Sequence, residues 1–127
     1  ELTDMYGNPY LDYESIPGVF YILENMSYSE TNILPGEFQL AQNYPNPFNP
    51  VTTMLYDLPE AGHTRLIIYD LLGRQIQTLV DQPMEAGYYH MQWDGRNSQG
   101  KMVGGGIYFY QIQTNDFIRT RKMLLLK

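Results

Sequence analysis

The side chains able to do acid–base, nucleophilic or metal chemistry are few and scattered. His63 and His90 are the two histidines of the chain, and neither stands with a second ligand at the short spacings that hold zinc. His63 reads as a turn residue and His90 as an outward strand position, so both are expected to be surface histidines. Serines 15, 27, 29 and 98 sit in no nucleophile elbow, and no glycine-rich loop joins a strand to a helix in the way that cradles phosphate. Cysteine is absent, which removes thiolate ligands, thiol nucleophiles and disulfides together. The run Asp94-Gly95-Arg96-Asn97-Ser98-Gln99-Gly100 has some oxygen donors but lacks the alternating acids and closing glutamate of a calcium loop. It reads as a hairpin loop. Asn25-Met26-Ser27 fits the glycosylation tripeptide, a pattern too common to decide anything. Without an acid–base pair, the chain is expected to be no enzyme and to need no cofactor or metal.

Charge divides the 127 residues into two parts. Residues 1–37 carry seven acids and no base, whereas residues 38–127 carry seven acids and eight bases. That asymmetry places a boundary close to Phe38, with 1–37 as an acidic linker and the remnant of an upstream domain, and 38–127 as a domain of its own. Within the first part only 19–23, VFYIL, reads as a strand, and a lone strand needs a partner. Five tyrosines, at 6, 10, 13, 21 and 28, accompany it. No basic patch precedes the last eleven residues, which argues against a nucleic-acid surface. No run approaches the roughly 18 apolar residues of a membrane span, and the start lacks the basic-then-apolar pattern of a signal peptide. Any targeting signal is therefore expected upstream of Glu1.

The elements that would position functional residues begin at 43–50, NYPNPFNP. Pro45, Pro47 and Pro50 offer no amide donors and disfavour helix, so the stretch is expected to be a rigid extended loop, pinned by Tyr44 and Phe48, with asparagines bonding nearby backbone. From Phe38 onward short alternating strands follow one another: 38–42, 51–58, 64–70, 74–80, 88–94, 107–114 and 117–125. Thr52, Met54, Tyr56 and Leu58 share one face, as do Tyr89, Met91 and Trp93, with Trp93 the expected core anchor. Gly73 suits a tight hairpin, and Asn115–Asp116 a second. Seven strands without a helical period predict an all-β, immunoglobulin/fibronectin-III-like antiparallel sandwich. The last stretch, 117–127, combines Arg119, Arg121, Lys122 and Lys127 with the apolar run 123–126. It reads as a final strand with a basic outer edge, in which the apolar run requires cover on both faces or a bulge.

Four segments in order, YPNPFNPVTTMLYDLP, RLIIYDLLGRQIQTLV, EAGYYHMQWDGRNSQGKMVGGGIYFYQIQT and TRKMLLLK, resemble the C-terminal sorting domain of the type IX secretion system, a family of Bacteroidetes-like bacteria. That family is similar in fold to the immunoglobulin-like domain of the flagellar hook-capping protein. The resemblance covers residues 38–127; Gly104-Gly105-Gly106 departs from it, where members often carry serine or alanine before the glycine. It implies a non-catalytic label on a larger secreted cargo, read by outer-membrane secretion machinery, in some members removed by a sorting peptidase, and destined for the cell surface or medium. The residues it points to for recognition are Pro45, Asn46, Pro47 and Phe48 in the loop and Arg119, Arg121, Lys122 and Lys127 at the terminus. A second reading from another class is a carbohydrate-binding module on a tyrosine-rich sheet face, with Tyr69, Tyr88 and the N-terminal tyrosines as its platform.

Overall fold

The computed structural model describes residues 33–127. The expected strand at 19–23, the five N-terminal tyrosines and the Asn25 tripeptide lie outside the described residues. Seven strands follow in order: β1 (Gln39–Leu40), β2 (Thr52–Leu58), β3 (Gly62–Asp70), β4 (Gln75–Met84), β5 (Gly87–Trp93), β6 (Gly106–Gln113) and β7 (Ile118–Leu125). They form two antiparallel sheets, β1-β2-β5 and β4-β3-β6-β7. Together these make an immunoglobulin-like β-sandwich, within a unit spanning Leu34–Lys127. Among the described residues there is no helix long and apolar enough to cross a membrane.

Period-two alternation explains most of this. In β2, Thr52, Met54, Tyr56 and Leu58 all point into the core, and their partners on β5 run in register from Thr52↔Trp93 to Leu58↔Gly87. β5 turns Tyr88, His90 and Gln92 outward. β3 is flanked on both sides, which accounts for its heavier apolar content. Leu66 and Ile68 face the core while Ile67 is buried on the opposite face, across from Thr78 on β4 and Gln111 on β6.

The edge strand β4 departs from the sequence expectation. It continues past Val80 to Met84, with two register shifts against β3. Pro83 is accommodated within it because an edge strand has one side without ladder bonds and tolerates a residue with no N–H. The same extension corrects His63: it lies on β3 rather than in a turn, and its Nε2 is 2.5 Å from Asp81 Oδ1. At the β3–β4 turn, Gly73 has φ of +83°, a conformation costly for any other residue.

Between the sheets, Trp93 packs against Phe48 at 5.8 Å and meets Tyr108 edge-on at 5.4 Å between ring centroids. Its indole Nε1 donates to the Arg96 carbonyl at 2.8 Å, so the polar end of the ring is satisfied as well as the apolar body. Gly95, at φ +78°, lets the chain turn back tightly enough for that bond to form.

Candidate recognition surface

Segment 38–50, which carries the prolines, runs beside β7 and closes that side of the sandwich. Its first part is held by a buried polar cluster. Asn43 N donates to Tyr110 Oη at 2.7 Å, and Tyr110 Oη donates to the Ala41 carbonyl at 2.7 Å. Asn43 Nδ2 donates to Thr52 Oγ1 at 2.9 Å and to the Pro45 carbonyl at 3.2 Å, while Thr52 Oγ1 donates to that same carbonyl at 2.8 Å. Asn43 and Thr52 are thereby buried without orphaned atoms.

The second part bonds β7 directly. Asn46 Oδ1 accepts from Leu124 N at 3.0 Å, Phe48 N donates to the Leu124 carbonyl at 3.0 Å, and Leu126 N donates to the Phe48 carbonyl at 2.8 Å. Phe48 and Leu125 thus form a parallel bridge. Gln42 Nε2 adds a bond to the Lys122 carbonyl at 2.8 Å, and Arg121 Nε donates to the Leu40 carbonyl. Phe38 stacks on Phe117 at 5.0 Å, with the Arg119 guanidinium 5.5 Å above the same ring. The free edge of the last strand is therefore covered by a strap, the usual remedy for an otherwise open edge. Prolines suit the strap because only Phe48 among residues 47–50 is required as a donor. All three X–Pro bonds there are cis.

Two expectations for the strap's aromatics divide. Phe48 is 1% exposed and sits in the core, whereas Tyr44 is 81% exposed. Tyr44 holds its place through backbone alone, exchanging two 2.9 Å bonds with Thr53. Pro45 and Pro47 lie on the exposed bend between them.

The basic residues do not form one edge. Strand alternation puts Arg119 and Arg121 in the inward row with Met123 and Leu125, opposite Ile112 and Tyr110 of β6, and puts Lys122 in the outward row with Leu124. Arg121 is a structural tie to β1, Lys122 is exposed, and the Lys127 stem lies against Gly105. Nor is the run 123–126 covered on both faces: Met123 and Leu125 are buried, while Leu124 and Leu126 are 37% and 47% exposed. No bulge interrupts the pairing with β6, so the outward leucines face solvent.

The β3–β4 hairpin, absent from the sequence-derived candidates, adds a rigid apolar tip. Asp70 Oδ1 accepts from Leu72 N and Arg74 N, both at 2.9 Å, and Asp70 Oδ2 accepts from Arg74 Nε at 2.7 Å. Desolvation raises the Asp70 carboxyl, but the Arg74 amide and guanidinium and the Leu72 amide outweigh it and hold the group below its usual value. The tip so fixed presents Leu71 and Leu72 at 64% and 78% exposure. A 270 Å³ depression lies beside it, walled by Leu71, Leu72, Gly105, Gly106 and Ile107 among others. A 220 Å³ depression lined by Asn46, Ile107, Lys122, Met123 and Leu124 adjoins it.

In the 94–100 loop Asp94 Oδ1 accepts from Arg96 N, and Asn97 Oδ1 accepts from Gln99 N and Lys101 N, so these oxygens serve the loop itself. Among the described residues no three His, Cys, Asp or Glu side chains gather as a metal site. Tyr69 is on β3 and Tyr88 on β5, in different sheets, so the tyrosine platform is divided.

The sequence profile described as the FlgD Ig-like domain matches residues 49–116, just over half of the chain. The chain belongs to the FlgD Ig-like domain family. Among solved structures this FlgD-like domain is similar to dimeric latent PorU from Porphyromonas gingivalis, at 18% identity and a TM-score of 0.55, covering 74% of this chain and 10% of that one. It is also similar to PorZ of the same organism, described as an essential bacterial surface component of the type-IX secretion system, at 18% identity and TM-score 0.48, over 71% of this chain and 11% of PorZ. FlgD from P. aeruginosa follows at 22% identity and TM-score 0.46, over 58% and 57% of the two chains. At such identities the PorU likeness is one of fold. The chain spans about a tenth of the two Porphyromonas proteins. No curated protein matches the sequence. The family match stops short of β7 and omits most of the strap. The two segments that bond each other thus lie largely outside the matched part.

Proposed function

We propose that residues 38–127 are a non-catalytic sorting domain that directs a larger upstream cargo through the type IX secretion system to the cell surface or medium. The carrying observation is the junction of strap and last strand. Asn46 and Phe48, from the proline motif, bond Leu124 and Leu126, from the terminal motif, across nearly the whole domain. The motifs behind the resemblance thus meet in one place, and the surface they form offers shape and charge rather than a reacting group. The acidic stretch 1–37 serves in this reading as the linker to the cargo. The partners are the outer-membrane secretion machinery and, where the label is removed, a sorting peptidase.

The test is a reporter carrying a periplasmic signal peptide and fused to residues 34–127, expressed in a host with a type IX system. Reporter on the surface or in the medium, dependent on that system, is the expected result. Reporter that accumulates in the periplasm although the domain is folded refutes the reading.

A further inference from the structure

We infer that the end of the sandwich formed by Leu71, Leu72, Ile107 and Leu124, with Lys122 and Lys127 at its margin, is a docking surface for a protein partner that presents apolar side chains rimmed by carboxylates. The inference rests on the sorting reading and names the face through which the label is read.

Contiguity is the first support. The two depressions described above share Ile107 as a common wall, and Ile107 is the cross-strand partner of Leu124. The exposed leucines of the hairpin tip therefore join the outward leucine of β7 in one apolar surface rather than standing singly. A joined surface of this kind is what distinguishes a binding site from ordinary scattered exposure. Preorganisation is the second support. Three hydrogen bonds to Asp70 fix the tip, and Asn46 and Phe48 fix Leu124 from the other side, so little ordering would be needed on binding.

Charge selects the partner. Among the described residues Asp70 is the only carboxylate lining either depression, and its oxygens are occupied by the Leu72 and Arg74 amides and the Arg74 guanidinium. Lys122 forms part of one wall, and Lys127 packs on Gly105 beside the other. The charge left over is positive, which favours carboxylates on the opposing surface and disfavours a basic one. A bilayer is the weaker occupant, since a two-leucine tip with two lysines provides little apolar depth and few charges for stable attachment.

The experiment uses the reporter fusion with four double variants, each checked for unchanged cooperative unfolding. Leu71→Ser with Leu72→Ser is expected to lower export by about tenfold or more, as expected for removal of anchor side chains. Lys122→Glu with Lys127→Glu is expected to do the same, with Lys122→Arg and Lys127→Arg restoring export. Leu55→Ser with Tyr88→Ser, also more than half exposed but on the other sheet, is expected to leave export unchanged. Export of the leucine variant at wild-type level overturns the surface while leaving the sorting reading intact. Normal export of the glutamate variant overturns the acidic partner, and loss in the Leu55 and Tyr88 control overturns the location. Flotation of the purified domain with phosphatidylglycerol vesicles, lost in the leucine variant, would assign the surface to lipid and overturn a protein partner. Retention of the wild-type fusion overturns the sorting reading and this surface together.

Discussion

Replacing Tyr110 by Phe removes one oxygen from the centre of the domain and isolates the tie between β6 and the strap. The ring is completely buried, so the substitution keeps its packing. What goes is the acceptor for Asn43 N and the donor to the Ala41 carbonyl, each at 2.7 Å. Asn43 is itself buried, and among the described residues its amide donates to the Tyr110 hydroxyl. Leaving that donor unpaired costs about 1 to 3 kcal/mol, and the lost bond to Ala41 about 0.5 to 1.5 more. The expected loss is therefore about 1.5 to 4.5 kcal/mol, a large share of the roughly 5 to 15 kcal/mol that holds a domain together. Urea unfolding reads it as a fall in midpoint at unchanged slope. A loss below about 0.5 kcal/mol would refute the tie, because it would mean that water or a shifted strap satisfies Asn43 as well as the hydroxyl does.

The same variant has a signature in alkali. Burial pushes the Tyr110 phenol up to about 12 from its ordinary 10.0, against the opposing pull of the Asn43 amide and Arg121. Burial, helped by Tyr89, pushes Tyr56 up to about 12 as well. A raised phenol keeps its proton longer in the folded state than in the unfolded one. The unfolded chain therefore loses protons first, and stability that is whole below pH 10 declines between pH 10 and 12. Each such phenol contributes a slope of about 1.4 kcal/mol per pH unit in that window. Tyr110→Phe should lower the slope by the share of one proton and leave that of Tyr56. An unchanged slope would show that Tyr110 ionises freely in the fold.

Trp93→Ala should cost about 3 to 5 kcal/mol in the same urea assay, through lost contacts to Phe48 and Tyr108; a cost under about 1 kcal/mol would place the indole outside the core. Arg121→Gln should destabilise by about 1 kcal/mol through the Leu40 carbonyl, while Lys122→Gln should stay within about 0.5 kcal/mol; equal effects would contradict the division of the bases between two rows. Deleting residues 123–127 removes buried Met123 and Leu125, worth about 3 to 6 kcal/mol together, and the strap's partners besides; a deletion variant with a native unfolding transition would show that β7 is dispensable. A chain beginning at Leu34 should unfold with the same midpoint as the whole, and a shift of more than about 1 kcal/mol would assign residues 1–33 a part in the fold.

Strand phase was legible because each of β2 and β5 buries one face against water on the other, which imprints period two on the residues. Strand ends were less so. Pro83 and Gly62 carry the same composition whether they end a strand or belong to one, and only an edge position decides it. In the proline loop, sequence identifies two aromatics in need of cover but not which of them reaches the core; Phe48 does, and Tyr44 is left outside by a backbone bridge. The apolar run 123–126 misled for a related reason. Apolar character does not by itself mean burial, and Leu124 and Leu126 are apolar and outward. Least legible was the strap's partner, since a bond between Asn46 and Leu124 leaves no local pattern in either segment.

The parity of β7 explains how one strand can hold a fold and also offer the docking surface proposed above. Its odd positions, Met123 and Leu125, fill the core beneath Tyr108 and Phe48. Its even positions, Lys122 and Leu124, face outward and bear little of the domain's packing. One backbone edge is bonded to β6 and the other, over 122–126, to Gln42, Asn46 and Phe48. Outward side chains are thereby free to vary with a partner's needs without disturbing the core, because side-chain direction on a strand alternates and does not drift. The strap makes the display rigid at the same time. By satisfying the outer amides, Asn46 and Phe48 remove the alternative of pairing with a passing strand. Under the docking surface proposed above, a partner would read β7 by its side chains, with specificity in the spacing of Lys122, Leu124, Ile107 and the Leu71–Leu72 tip rather than in backbone that any extended peptide could match.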